Sequence, residues 1–165
     1  MERPAQPYVT IDAIGAMDDI GQVVPPLNGE VFRWLADHGA TPSGPPFWKY
    51  NVVDMARTLE IEAGVTVAEP MSSDGRIAAG TLPAGRYATL RHTGHPSTLV
   101  EATRSLLDWA AERRLAWDVA PSPDGDRWAA RLELYLTDPQ TEPDMSKWVT
   151  KLAFRLADRQ ARPAQ

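Results

Sequence analysis

The sequence predicts an α+β fold in which two strand–helix–strand–strand units join their sheets, both helices cover one face, and the other face is left as a concave groove. Three observations predict it. Amphipathic helical spacing occurs twice, each helix follows a strand-like stretch directly and has two behind it, and the two halves match in order and length. With 165 residues, 43% hydrophobic and 24% charged, the composition is that of an ordinary globular domain. One domain is expected, with repeat one at about 8–67, repeat two at about 76–157 and a tail at 158–165.

Tyr8 to Ile14 alternates as a strand. Pro25 to His38 then carries Leu27, Val31, Trp34 and Leu35 at helical spacing opposite Asn28, Glu30, Arg33 and Asp37. Pro25 and Pro26 suit its first turn and Gly39 its C-terminal stop. Pro46 to Val53 and Thr58 to Val67, rich in aromatic or β-branched residues and separated by a short polar bend, complete the first unit. In the second half, Ile77 to Leu82 and Arg86 to Arg91 are strands joined by Pro83-Ala84-Gly85. A helix from about Thr98 to Arg114 presents Leu99, Ala102, Thr103, Leu106, Leu107 and Ala110 on one face, with Thr98 and Glu101 at capping-box spacing. Trp128 to Thr137 and Lys147 to Leu156 are the closing strands, and Asp118 to Asp126 is a hairpin loop.

Composition also excludes. The chain has no cysteine, so disulfides, thiolate nucleophiles and cysteine-based zinc sites are out. A net charge of −5 lacks the electrostatic footprint of nucleic-acid binding. His38, His92 and His95 lack metal-ligand spacing, and His92 reads as a structural histidine bonded to backbone. No apolar run is long enough to span a bilayer and no leader is visible at Met1 to Pro7, so a cytoplasmic protein without membrane contact is expected. The glycines form no phosphate-cradling loop, and no metal or cofactor is expected.

Six tryptophans and the groove between repeats point to small-molecule binding. Strand parity separates Leu132, Leu134 and Leu136 from Arg131, Glu133, Tyr135 and Thr137. If the leucines meet the helices, Glu133 and Tyr135 face the groove, where a carboxylate among aromatic rings suits a planar cation. Parity likewise groups Trp48 with Tyr50 and Phe47 with Lys49, and one of these pairs faces the groove. Lys49 is expected to reach solvent. Glu60 and Glu62 share a face, so Glu62 is a second candidate carboxylate, and proximity to Glu133 would raise one pKa and create a general acid. Met145 and Trp148 are placed to close one end of the groove. Trp34 and Trp109 read as core or helix surface.

Leu82-Pro83-Ala84-Gly85-Arg86-Tyr87-Ala88 followed by Arg91-His92-Thr93-Gly94-His95-Pro96 resembles the strand-to-helix signature of the GyrI-like ligand-binding family. Arg131-Leu132-Glu133-Leu134-Tyr135-Leu136-Thr137-Asp138-Pro139 resembles the family's glutamate-bearing strand. His95 interrupts the usual Gly-Pro contact. The resemblance, over about Tyr8 to Ala157, implies pseudo-twofold symmetry, a ligand groove at the junction of the repeats, and a stand-alone relative of the effector-binding domains of transcription regulators. It maps the family's binding glutamate onto Glu133 and favours Tyr50, with Trp48 on its side, in the ligand site. Without it Glu133 reads as a solvated strand carboxylate.

Three functions then fit. The first is binding or sequestration of small lipophilic, often cationic aromatic compounds by Glu133, Tyr50, Trp48, Tyr135, Trp148, Met145 and Glu62. The second is hydrolysis of strained rings in electrophilic DNA-alkylating natural products, with Glu133 and Tyr50 as the catalytic pair. The third is a gyrase-inhibitory protein interaction. Oligomeric state is left open.

Overall fold

A computed structural model describes residues 2–16, 24–53, 58–123, 125–138 and 141–157. In chain order the elements are β1 (Glu2–Arg3), β2 (Gln6–Ala16), α1 (Pro25–Asp37), β3 (Pro42–Val53), β4 (Thr58–Val67), β5 (Ile77–Leu82) and β6 (Gly85–Thr93). There follow α2 (Leu99–Glu112), β7 (Val119–Ser122), β8 (Gly125–Trp128), β9 (Arg131–Tyr135) and β10 (Val149–Arg155), with short 3₁₀ turns at Pro96–Thr98 and Met145–Lys147. The polar bend after Val53 and the tail after Ala157 lie outside the described residues.

The strand order β1-β6-β10-β9-β3-β4-β2-β5 reads the same outward from its β9–β3 junction, β10 then β6 on one side and β4 then β2 on the other. This is the pseudo-twofold arrangement of two strand–helix–strand–strand units. At the junction Phe47 faces Leu134, Trp48 faces Glu133 and Lys49 faces Leu132. The β7–β8 hairpin adds to the far end of β3.

β5 and β6 lie at opposite ends of this order, yet only Pro83 and Ala84 separate them in the chain. The sheet must therefore curl round on itself. Its inner face encloses Tyr8, Phe47, Leu82, Tyr87, Leu132 and Leu134 as a core of their own. On the outer face α1 buries Leu27, Val31 and Leu35 against Val9, Ile11, Leu59, Ile61 and Val65. There α2 buries Leu99 and Leu106 against Ala88, Leu152 and Phe154. The expectation that the β9 leucines meet the helices, with the groove on the opposite face, is corrected here. Leu132 and Leu134 fill the inside of the curl, and the open groove lies on the helix-bearing face, between α1 and α2.

Local chemistry accounts for the smaller differences. The Thr98–Glu101 capping box does not form, because Pro96 opens a 3₁₀ turn that leaves Thr98 helical, with its hydroxyl donating to the His95 carbonyl at 2.7 Å. The strand expected over Trp128 to Thr137 breaks at Ala129-Ala130, where β3 passes from β9 to β8. The last strand begins later than expected, at Val149, because residues 145–147 form a 3₁₀ turn. Trp34 packs against the α1 core and donates to Asp74 at 3.1 Å, and Trp109 is exposed beneath Arg113.

Gly64 in β4 marks the tightest approach. A Cβ there would stand 2.0 Å from the Val9 carbonyl oxygen and 2.5 Å from Thr10 Cγ2. Backbone cannot yield as a flexible side-chain tip can. Gly64→Ala is expected to destabilise the fold by about 1–3 kcal/mol, read as a lower denaturant midpoint. A midpoint equal to wild type would show that the β2–β4 spacing is looser than described.

Candidate functional site

A cleft of about 1050 Å³ opens on the helix face over the β9–β3 junction. Asn28 and Phe32 of α1 form one wall and Leu99, Val100 and Thr103 of α2 the other. Its floor is Trp48 and Tyr50 of β3 with Glu133 and Tyr135 of β9, and Met145 and Trp148 stand at one end.

Cross-strand pairing explains the floor. Trp48 and Glu133 are directly opposite in the sheet and so share a face, and parity brings Tyr50 and Tyr135 to the same side. Glu133 is buried, at 9% exposure. The Tyr50 hydroxyl donates to its Oε1, and the Tyr135 hydroxyl donates to the same oxygen at 3.1 Å. No described residue donates a hydrogen bond to Oε2. Trp48 packs edge-on against Tyr135, with ring centroids 5.5 Å apart, and donates its indole N–H to Asn28 Oδ1 at 2.8 Å. Trp148 is held at its indole by the Glu142 carbonyl, 2.7 Å away.

Burial pushes the Glu133 carboxyl above its ordinary range, an effect that the two tyrosine hydroxyls and the charge of Arg131 oppose. Burial and the neighbouring carboxylate hold both Tyr50 and Tyr135 well above the ordinary phenol range, so each remains a donor. A carboxylate served by neutral hydroxyls at one oxygen is a ready partner for a cation at the other.

The structure thus gathers Trp48, Tyr50, Glu133, Tyr135, Met145 and Trp148 around one cleft, and it separates Glu62 from them. Glu62 pairs with Lys49, the neighbour of Trp48 on β3, and so points to the inner face. Glu62 and Glu133 therefore form no carboxylate pair, and the general acid expected from their repulsion is not built. Glu62 instead accepts from Thr10 Oγ1 at 2.9 Å, Asn51 Nδ2 at 2.8 Å and Lys49 Nζ at 3.2 Å, with the Tyr8 hydroxyl at 3.3 Å. Lys49, expected to reach solvent, is buried in that cluster and also bonded to Asn51. His92 bonds to the Thr98 hydroxyl at 2.7 Å rather than to backbone. The hairpin after Asp118 borders a side pocket through Gly125 and Asp126, not the floor of the cleft.

Sequence reasoning missed Asn28 and Arg131. Asn28 was placed on the polar side of α1, but its amide also donates to the Gly64 carbonyl at 3.2 Å and so ties the helix to the sheet. Arg131 lies on the Glu133 face of β9, where parity alone would have found it, with its guanidinium 4.9 Å from the Trp128 ring centroid and 4.7 Å from that of Phe154. Among the described residues no cluster of three or more His, Asp or Glu could hold a metal, and no helix is long and apolar enough to cross a membrane.

A family model for the GyrI-like small molecule binding domain matches residues 1–157. The chain belongs to this family. No curated protein matches it. Among solved structures, the fold of this GyrI-like domain is similar to the EcmrR C-terminal domain, with 18% identity, 96% of this chain and 95% of that one covered, and a TM-score of 0.73. The chain spans 56% of the longer EcmrR chain in a DNA complex. It is also similar to SAV2435 bound to tetraphenylphosphonium, at 9% identity, 99% and 95% coverage and a TM-score of 0.61. A hydrolase from Listeria innocua matches at 15% identity, 95% and 90% coverage and a TM-score of 0.59. At such identities the likeness shows a shared fold.

Proposed function

We propose that the cleft binds lipophilic cations bearing aromatic rings, with Glu133 as charge partner and Trp48, Tyr50, Tyr135, Met145 and Trp148 as the wall. One observation carries the reading: a buried carboxylate on an aromatic floor takes both of its hydroxyl donors at one oxygen. A buried anion with no ion pair in direct contact is costly, and a bound cation offsets that cost. Charge spread over aromatic rings is the cation best suited, because the rings bury apolar area while meeting ring faces in the wall. Met145 adapts its shape to different ligands, which supports breadth over a single substrate. The similarity in fold to a protein solved with tetraphenylphosphonium supports the same class of ligand.

The pH dependence of binding tests it. The free carboxyl titrates above its ordinary range, and a cation favours its charged form, so binding expels the proton. Affinity for tetraphenylphosphonium is therefore highest above the free-protein pKa and falls by up to about tenfold per pH unit below it. A neutral triarylmethane of similar size should show no such fall. Tryptophan-fluorescence titration of both compounds from pH 4 to 8 reads the difference, and parallel curves would refute the charge pairing.

A further inference from the structure

Three buried side-chain nitrogens among the described residues lack a hydrogen-bond partner: Arg3 Nη1, Trp128 Nε1 and Arg131 Nε. Two of the three belong to residues that line one pocket. A side chamber of about 620 Å³ adjoins the main cleft, Trp128 and Arg131 border it, and Arg131 also borders the main cleft beside Glu133. Trp128 is only 7% exposed, so its indole N–H has no access to water. A buried donor without an acceptor is destabilising, and natural folds rarely leave two side by side.

Their mutual arrangement limits what can satisfy them. The Arg131 guanidinium makes no hydrogen bond or ion pair among the described residues and is held by ring contacts with Tyr50, Trp128 and Phe154. Ring contacts are not directional as a bidentate ion pair is, so the Arg131 side chain, whose guanidinium lies over the Trp128 ring, can turn at modest cost. The chamber is bordered by two acidic residues, Asp108 and Asp126, against Arg104 and Arg131. That balance gives no attraction for an anion and favours a neutral oxygen acceptor.

Resting on the cation-binding reading above, we infer that the preferred ligand also carries a neutral carbonyl oxygen on a short arm, which enters the side chamber and accepts hydrogen bonds from Trp128 and Arg131. The arm length follows from the strand. Arg131 and Glu133 are two residues apart on one face, a separation of roughly 6–7 Å, which a chain of three methylenes between cationic centre and carbonyl spans. An ester, amide or ketone fits, and a carboxylate would add a negative charge beside the two aspartates.

Three probes sharing one cation test the inference: butyl-, (3-ethoxycarbonylpropyl)- and (3-carboxypropyl)triphenylphosphonium. The wild-type protein is expected to bind the ester roughly fivefold or more tighter than the butyl compound, and the carboxylate more weakly than the ester. Trp128→Phe removes the N–H while keeping a ring, and should shrink the ester preference to within about twofold while leaving butyl affinity unchanged. Arg131→Met provides an independent variant and should also reduce that preference. Equal wild-type affinity for ester and butyl probes, a preference that survives both substitutions, or tighter binding of the carboxylate would each overturn the inference. Failure of the cation-binding reading itself would look different, because the butyl probe would then either not bind or bind with no fall in affinity below the free-protein pKa of Glu133.

Discussion

Replacing Glu133 by glutamine is expected to weaken tetraphenylphosphonium binding by about 2 kcal/mol or more, roughly 30-fold, while a neutral triarylmethane loses little. Glutamine keeps the size of the side chain and an oxygen that can still accept from the Tyr50 and Tyr135 hydroxyls, so the cleft keeps its shape and loses only its charge. Stability should move the opposite way. Burial raises the carboxyl pKa in the folded protein, so the folded state holds its proton more tightly than the unfolded chain does. Its contribution is then fully present below the unfolded pKa and is lost as pH rises through the folded pKa. Above its raised pKa the wild type carries a desolvated charge that Glu133→Gln lacks, and there the variant should melt at a higher temperature, an advantage that shrinks on acidification. Such an exchange of ligand affinity for stability is the signature of a binding group held at thermodynamic cost. Calorimetric melting at pH 7 and pH 4, beside ligand titrations, reads both effects. A variant that binds cation and neutral compound with equal losses, or that melts lower at pH 7, would show that Glu133 acts only in packing.

Much of this site is legible in the sequence because strand parity is local. Knowing that residues 131–135 form a strand is enough to put Arg131, Glu133 and Tyr135 on one side, and the same holds for Trp48 and Tyr50 in β3. The helices at 25–37 and 99–112 follow from 3.6-residue spacing, β4 from its β-branched residues, and the end of β5 from the turn residues Pro83-Ala84-Gly85. What parity cannot supply is which side is which. That depends on the curl of the sheet, set by the two-residue connection from β5 to β6 across opposite ends of the strand order, and so Leu132 and Leu134 face the inner core instead of the helices. Relative facing of different strands depends on register. Glu62 and Glu133 are each candidate carboxylates by their own strands, yet they oppose consecutive β3 residues, Lys49 and Trp48, and therefore point apart. Asn28 and Lys49 were misplaced for a related reason. A polar residue on a helix or strand reads as solvated until its partner, here Trp48 or Glu62, is brought to it by a distant pairing.

Glu62→Gln is expected to cost about 3–5 kcal/mol of folding stability, because it leaves the Lys49 ammonium buried without its counter-charge. Both side chains of this pair are nearly sealed from solvent, at 10% exposure each, and their separation is 3.2 Å. For a chain of this size the loss lowers Tm by about 10 °C. Adding Lys49→Met to the same protein removes the stranded charge, and most of the stability should return, since Tyr8 and Thr10 can still donate to the glutamine oxygen and the Asn51 amide, released from Lys49, can turn to accept from the glutamine N–H. A double variant no more stable than Glu62→Gln alone would mean that the carboxylate itself, through its neutral donors, and not the ion pair, holds the inner face together. The pair also bears on the cleft. Lys49 and Asn51 flank Tyr50 on β3, and both are tied to Glu62 behind the sheet while Tyr50 reaches forward to Glu133. Because β3 is irregular between Tyr50 and Val52, pairing with β4 alone does not fix the Tyr50 side chain. The rescued double variant should therefore fold like wild type and still bind tetraphenylphosphonium more weakly. Wild-type affinity in that variant would show instead that Tyr50 is positioned from the cleft side, by Glu133 alone.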